Sequence, residues 1–221
     1  GFTLRRVNHI AANIAYSLSF ALGTGSVSNT NRNIAWTASD PPKQTAPLDF
    51  DQRHKLSVNL DYALGGGEGP KWGAATPLEN TSVNVLYNVA SGTPYTPTAV
   101  FDEVTLAAVS SQPIGALNSR FGAWTQSVDM KASKGFHLGG LAVNAYLWVL
   151  NAFDVRNSIT VYSSTGSPFT TNFLSTAAGR EAASALAAQG IDASAAYGLA
   201  LQNQALFSTP RTIRFGLRLA F

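Results

Sequence analysis

The side chains best able to do chemistry are few and scattered. The 221 residues hold three histidines (His9, His54 and His137), no cysteine and only 12 acidic residues. Without cysteine there is no disulfide framework, no thiol nucleophile and no thiolate zinc site. The histidines lie far apart and show no metal-ligand spacing. Asp40, Asp49, Asp51, Asp102 and Glu103 fall in polar stretches without the spacing of a calcium-binding loop. A Ser/His/Asp set can be drawn from almost any sequence, so none is assigned. No catalytic residue, metal or cofactor is expected, and no enzyme activity. The net charge of +3 comes from scattered Lys and Arg, with no basic run longer than Arg5-Arg6. No nucleic-acid motif is present, so nucleic acid is not an expected partner.

The placement of the charges says more than their number. Lys55, Asp61, Asp129, Lys131, Arg214 and Arg218 all occupy polar positions in stretches that alternate strictly between apolar and polar, the mark of a strand with two unlike faces. Leu56, Val58, Leu60, Tyr62 and Leu64 oppose Lys55, Ser57, Asn59 and Asp61. Ile14, Tyr16, Leu18, Phe20 and Leu22 oppose Asn13, Ala15, Ser17, Ser19 and Ala21. Val83, Val85, Tyr87 and Val89 face away from Ser82, Asn84 and Asn88. Trp124, Val128 and Met130 oppose Thr125, Ser127, Asp129 and Lys131, with Gln126 the polar exception. Leu141, Val143, Ala145, Leu147 and Val149 oppose Asn144, Tyr146 and Trp148 less cleanly. Ile213, Phe215, Leu217, Leu219 and Phe221 oppose Thr212, Arg214, Gly216 and Arg218. With a stub at Phe2 to Val7, seven strands are expected.

These strands run to about ten residues, near the roughly 9–11 that a tilted strand needs to cross a bilayer, whereas soluble strands average about 5–6. The 12% charged fraction lies well under the roughly 25% of soluble domains. The longest apolar run, Ala145 to Leu150, is far too short for a membrane-spanning helix. Short links are expected at Asn8-His9-Ile10, Gly65 to Asn80 and Gly135 to Gly139. They alternate with long polar ones at about 23–53, 91–120 and 154–209. Every long link therefore emerges on one side, as in outer-membrane barrels with short periplasmic turns and long extracellular loops. The expected fold is all-β, a transmembrane antiparallel barrel filling residues 1–221, with Phe221 on the periplasmic side. In hydrocarbon an open sheet edge is forbidden, and bacterial barrels use an even strand number of eight or more. Missing strands before Gly1 are expected on that ground, and the opening at Gly1, without Met or leader, reads as a truncation.

Particular motifs sharpen this. The terminal run Arg214-Phe215-Gly216-Leu217-Arg218-Leu219-Ala220-Phe221 resembles the signal read by the barrel-assembly machinery, with Arg214, Gly216, Leu219 and Phe221 filling its positions. Pro47-Leu48-Asp49-Phe50-Asp51-Gln52-Arg53-His54, Ser91-Gly92-Thr93-Pro94-Tyr95-Thr96-Pro97 and Val149-Leu150-Asn151-Ala152-Phe153-Asp154 resemble segments of TonB-dependent outer-membrane receptors. The likeness is greatest to the Oar-like, carboxypeptidase-regulatory-like-domain-containing group. It covers essentially the whole chain and implies the last seven of about 22 strands. It also implies outer-membrane lipid, the assembly machinery, a plug domain and, through the plug, the TonB energy-coupling complex as partners. The implied function is uptake of a bulky nutrient such as a siderophore, oligosaccharide or peptide. A structural, secretion- or adhesion-linked barrel that does not import is the second reading, and a soluble lectin-like β-protein the third.

By the same resemblance Lys55, Asn59, Asp61, Asp129, Lys131, Arg214 and Arg218 face the lumen and plug, where confined charges call for ion pairs or water. Among the loop aromatics, Trp36, Tyr95, Phe101 and Tyr162 are candidate contacts for an unidentified extracellular ligand. The Ala-rich stretch from Ser175 to Gln204, divided at Gly190-Ile191-Asp192, is expected to form two short helices in the last long loop.

Overall fold

The computed structural model describes residues 1–26, 45–99 and 113–220. Its centre is one seven-stranded antiparallel sheet. The strands are β1 (Phe2–Val7), β2 (Ile10–Leu18), β3 (His54–Leu64), β4 (Thr81–Ala90), β5 (Thr125–Leu138), β6 (Leu141–Leu150) and β7 (Thr212–Ala220). Each pairs with its neighbours in chain order, so the sheet is an up-and-down meander with β1 and β7 at its edges. The strand count matches the alternation, because branched and aromatic side chains at every second position suit the two-sided pleat.

Boundaries moved where turn chemistry overrode pattern. The first turn is the residue pair Asn8 and His9, at φ 48° and 72°. Positive φ at both positions matches the twist of a tight hairpin, and Ile10 already belongs to β2. The β5–β6 turn is Gly139-Gly140, not a five-residue link from Gly135. Gly135 lies within β5, paired with Asn144, so that strand reaches 14 residues. Strand β2 ends at Leu18, before Phe20 and Leu22, and Leu22–Gly23 forms a separate short ribbon with Ala46–Pro47. Between Leu4 and Val7 a bulge shifts the register of β1, which returns Val7 to the apolar face opposite Ile10.

Register carries each face across the whole sheet. Leu4, Ala12, Leu60, Val85, Met130, Val149 and Ile213 form one apolar row. One step along, Asp61, Asn84, Lys131, Trp148 and Arg214 form a polar row. Much of the apolar side is open, with Leu60 45%, Tyr62 44% and Phe215 71% exposed although Leu64 and Val143 are buried, while Asn59 and Asp61 are half-buried. A soluble sheet would bury the apolar side against a second layer. Here the helices α1 (Ala177–Ala188) and α2 (Ala193–Ala200) pack on each other and on the turn Phe173–Ser175 rather than on the sheet. The compact apolar cluster lies in that loop, where Phe173, Tyr197 and Leu201 are buried with Tyr162 and Leu174 against them.

The loop helices form where alanine content favours them, and each begins at a side-chain cap. Thr176 Oγ1 accepts from Gly179 N, and the Asp192 carboxylate accepts from Ser194 N and Ala195 N. Gly190, at φ 75°, makes the reversal between them. Among the described residues no helix is long and apolar enough to cross a membrane.

Candidate functional site

Strand parity puts Lys55, Asn59, Asp61, Asp129, Lys131, Arg214 and Arg218 on one face, as expected from the sequence. Among the described residues none of Lys55, Lys131, Arg214 or Arg218 has a carboxylate within ion-pair distance. The register explains this: Asn84 separates Asp61 from Lys131, and two strand spacings, roughly 9–10 Å, exceed an ion pair's reach. Asn84 Nδ2 instead donates to Asn59 Oδ1 and Asp61 Oδ1, both at 2.7 Å. Two of the cations, Lys131 and Arg214, lie over aromatic rings. Trp148 stands between Lys131 (5.9 Å from the ring centroid) and Arg214 (5.6 Å), and Tyr146 lies 5.4 Å from Lys131. A ring face attracts a cation electrostatically while leaving its outer side free for solvent or ligand.

Gly216, read in the sequence as part of a terminal signal, has a local structural duty as well. It pairs with Tyr146 across the strands, and a Cβ there would collide with the tyrosine ring. Arg214 and Leu219 both project from the exposed last strand. Phe221 lies outside the described residues, as do Trp36, Asp40, Phe101, Asp102 and Glu103.

At the long-link end, two of the motif segments meet through Asn118 and Ser91, and the third is braced separately around Asn151. Asp51, 1% exposed, accepts from Ala21 N at 3.0 Å and pairs with Arg53 Nε at 3.4 Å. The Arg53 guanidinium lies between the Phe20 and Phe121 rings, 5.3 and 4.4 Å from their centroids. Asn118 Nδ2 donates to Pro47 O and Asp49 Oδ1, and Asn118 N donates to Thr96 Oγ1. Ser91 Oγ accepts from His54 N. Gly92 runs so close to Gly122 and Ala123 that a Cβ would strike their backbone. Asn151 Nδ2 donates to Val155 O, its Oδ1 accepts from Val155 N, and its own N–H donates to Asp129 Oδ1. The two asparagines are buried at φ 51°, a conformation asparagine tolerates better than most residues. Asn118 carried no sequence signal, because its partners lie 22 to 71 residues away.

The candidate ligand aromatics among the described residues are engaged in the loops themselves. Tyr95 lies over Gly166 in a short ribbon pairing Pro94–Tyr95 with Arg120–Phe121. Tyr162 packs on the buried loop cluster, and its hydroxyl donates to Leu201 O at 3.4 Å.

On the apolar side at the same end, His54 is stacked between Tyr16 and Trp124, with Tyr16 Oη 2.8 Å from His54 Nδ1. At the short-link end His9 is 3.3 Å from Glu68 and edge-on to Tyr62. Nearby, Glu79 Oε2 accepts from Gly67 N at 2.7 Å and Thr76 Oγ1 at 3.0 Å. The Gly67 N–H bond first, then the Thr76 bond, hold its carboxyl below the usual carboxylate range, with the Lys134 and His137 charges adding and burial opposing. Among the described residues no group of three or more His, Asp or Glu is placed to hold a metal.

No protein-family model, curated protein or solved structure matches the chain. The class it defines is therefore read from its own architecture: an all-β protein built on a long-stranded antiparallel meander.

Proposed function

We propose that the chain is the C-terminal part of a Gram-negative outer-membrane barrel, of the TonB-dependent type that imports a bulky nutrient. The observation that carries this reading is the outward apolar surface. Phe2, Ile10, Ile14, Tyr16, Leu60, Tyr62, Met130, Leu147, Ile213, Phe215, Leu217 and Leu219 are all exposed, on strands mostly of 9–11 residues. A soluble protein rarely exposes a contiguous apolar patch beyond several hundred Å², and lipid is the solvent that stabilises one. The polar face then lines a wet interior. The free edges of β1 and β7 would pair with further strands, because hydrocarbon leaves no water for an unpaired backbone.

In this reading the long links are extracellular, and the Asp51, Asn118 and Asn151 braces hold their base. Lys131, Trp148 and Arg214 face a plug domain, through which the TonB energy-coupling complex acts. Arg214, Gly216, Leu219 and Phe221 serve the barrel-assembly machinery. The chain binds and conducts rather than catalyses. The exposed apolar rows weigh against a soluble lectin-like protein, for which such a surface would promote aggregation.

The test is tryptophan quenching by brominated lipid in reconstituted membranes, using single-tryptophan variants. Tryptophan placed by Phe215→Trp should be strongly quenched, and native Trp148, on the opposite face, hardly at all. Equal quenching at both, or none at either, would reject the membrane reading.

A further inference from the structure

We infer that the polar face carries a binding site for a small, multiply hydroxylated organic acid of the sugar-acid class, centred on Lys55. A cavity of about 380 Å³ opens there, at the long-link end of β2 to β5, within the roughly 300–1,000 Å³ range of small-molecule sites. Its lining, whose exposed surface is mostly carbon, joins Tyr16, Leu56, Val89 and Gln126 to two flanking polar rows. Ser17, Lys55, Ala90 and Thr125 form one, and Ala15, Ser57, Asn88 and Ser127 the other.

The patch borders a stretch of the same face that is satisfied within the protein. Just below, Asn59, Asp61 and Asn84 bond to one another, and Asp129 accepts from Asn151 N. Around the cavity, Ser17, Ser57, Asn88, Thr125, Ser127 and Lys55 have no side-chain hydrogen bond to another protein group among the described residues. Asn157 also lines the cavity but is committed to the Gln126 backbone, through Gln126 N to its Oδ1 and its Nδ2 to Gln126 O. That clamp fixes the wall and leaves the other groups free.

The free groups describe their ligand. Four hydroxyls and an amide can both donate and accept, which matches several ligand hydroxyls. One ammonium with no carboxylate in the lining calls for a single anionic group. Ala15, Ala90 and the Lys55 methylenes give a shallow apolar floor that suits the C–H face of a ring. A purely apolar ligand would leave the polar groups unpaired, and a bare anion would use only Lys55. The inference requires only that this face is wet, whatever solvent meets the other face.

Isothermal titration of the full chain in detergent micelles with D-glucuronate, D-glucose and inorganic phosphate tests it. Glucuronate should bind saturably, and glucose and phosphate at least tenfold more weakly. Lys55→Gln should weaken glucuronate at least tenfold and Asn88→Leu several-fold, while Lys71→Gln, in the opposite link, changes nothing. Circular dichroism establishes that each variant is folded. Absence of saturable glucuronate binding, or binding unaffected by Lys55→Gln, overturns the proposal. So does phosphate binding as tightly as glucuronate. The lipid-quenching result is read separately, so either conclusion can fail alone.

Discussion

Two regions of this molecule treat hydrophobic side chains in opposite ways. In the last long loop, Phe173 is 6% exposed and stacks on Tyr197, with ring centroids 5.5 Å apart. On the last strand, Phe215 is 71% exposed and has no second layer over it. The loop follows the rule for proteins in water and the sheet inverts it. The difference teaches that the loop carries an apolar core of its own and the last strand does not. The loop gathers Phe173, Tyr197 and Leu201 into a small core while Ile159, Phe169 and Leu199 stay exposed, whereas Ile213, Phe215, Leu217 and Leu219 on the last strand are all uncovered. On the polar face, Asn59, Asp61 and Asn84 are half-buried and bonded to one another.

The comparison breaks most visibly at the two phenylalanines. Phe173→Ala should remove about 3–5 kcal/mol, as for a buried aromatic in a packed core, read as lost amide-exchange protection across α1 and α2. Phe215→Ala in micelles should lose much less, because detergent fills the space. Equal losses would mean that β7 packs against a protein layer. The next effect concerns charge. Leu60→Arg should destabilise the lipid-reconstituted protein by roughly 2–4 kcal/mol near the midplane, and Asn59→Arg, one residue away, far less. A urea titration that ranks them equally would contradict the face assignment.

Smaller effects sharpen the picture at the water-facing ends. Asp192→Ala removes the acceptor of Ser194 N and Ala195 N and should cost about 0.5–2 kcal/mol, confined to α2 exchange. Acid should loosen the link from 65 to 80. The Glu79 carboxyl is held below its ordinary value when folded, so the stability it adds is present above that ordinary value and lost as pH falls through the folded one. Exchange at Gly67 N should therefore quicken in acid, and Glu79→Gln should abolish that pH dependence. An unchanged profile in Glu79→Gln would assign the effect to another group.

Much of the sheet was legible because a period of two needs no distant information. Leu56 to Leu64 against Lys55 to Asp61 names both the strand and its faces. Ends were harder: Gly135 reads as a turn residue yet pairs with Asn144 within β5, since a two-glycine turn further on allows the hairpin to lengthen. The charged residues share one face as read, but the sequence did not show that Asn84 and Trp148 stand between them. Which side chain stands between two charges depends on the register of separate strands.

The sequence by itself determined the strands, their two faces, the alternation of short and long links and the two short helices of the Ala-rich stretch. Each rests on neighbours a few positions apart. Only the tertiary structure decided that Asn118 ties Asp49 to Thr96, that Tyr146 lies across Gly216 and that the groups around Lys55 stay unpaired. Those contacts join residues tens of positions apart, and no local propensity encodes which distant strands will meet or in what register.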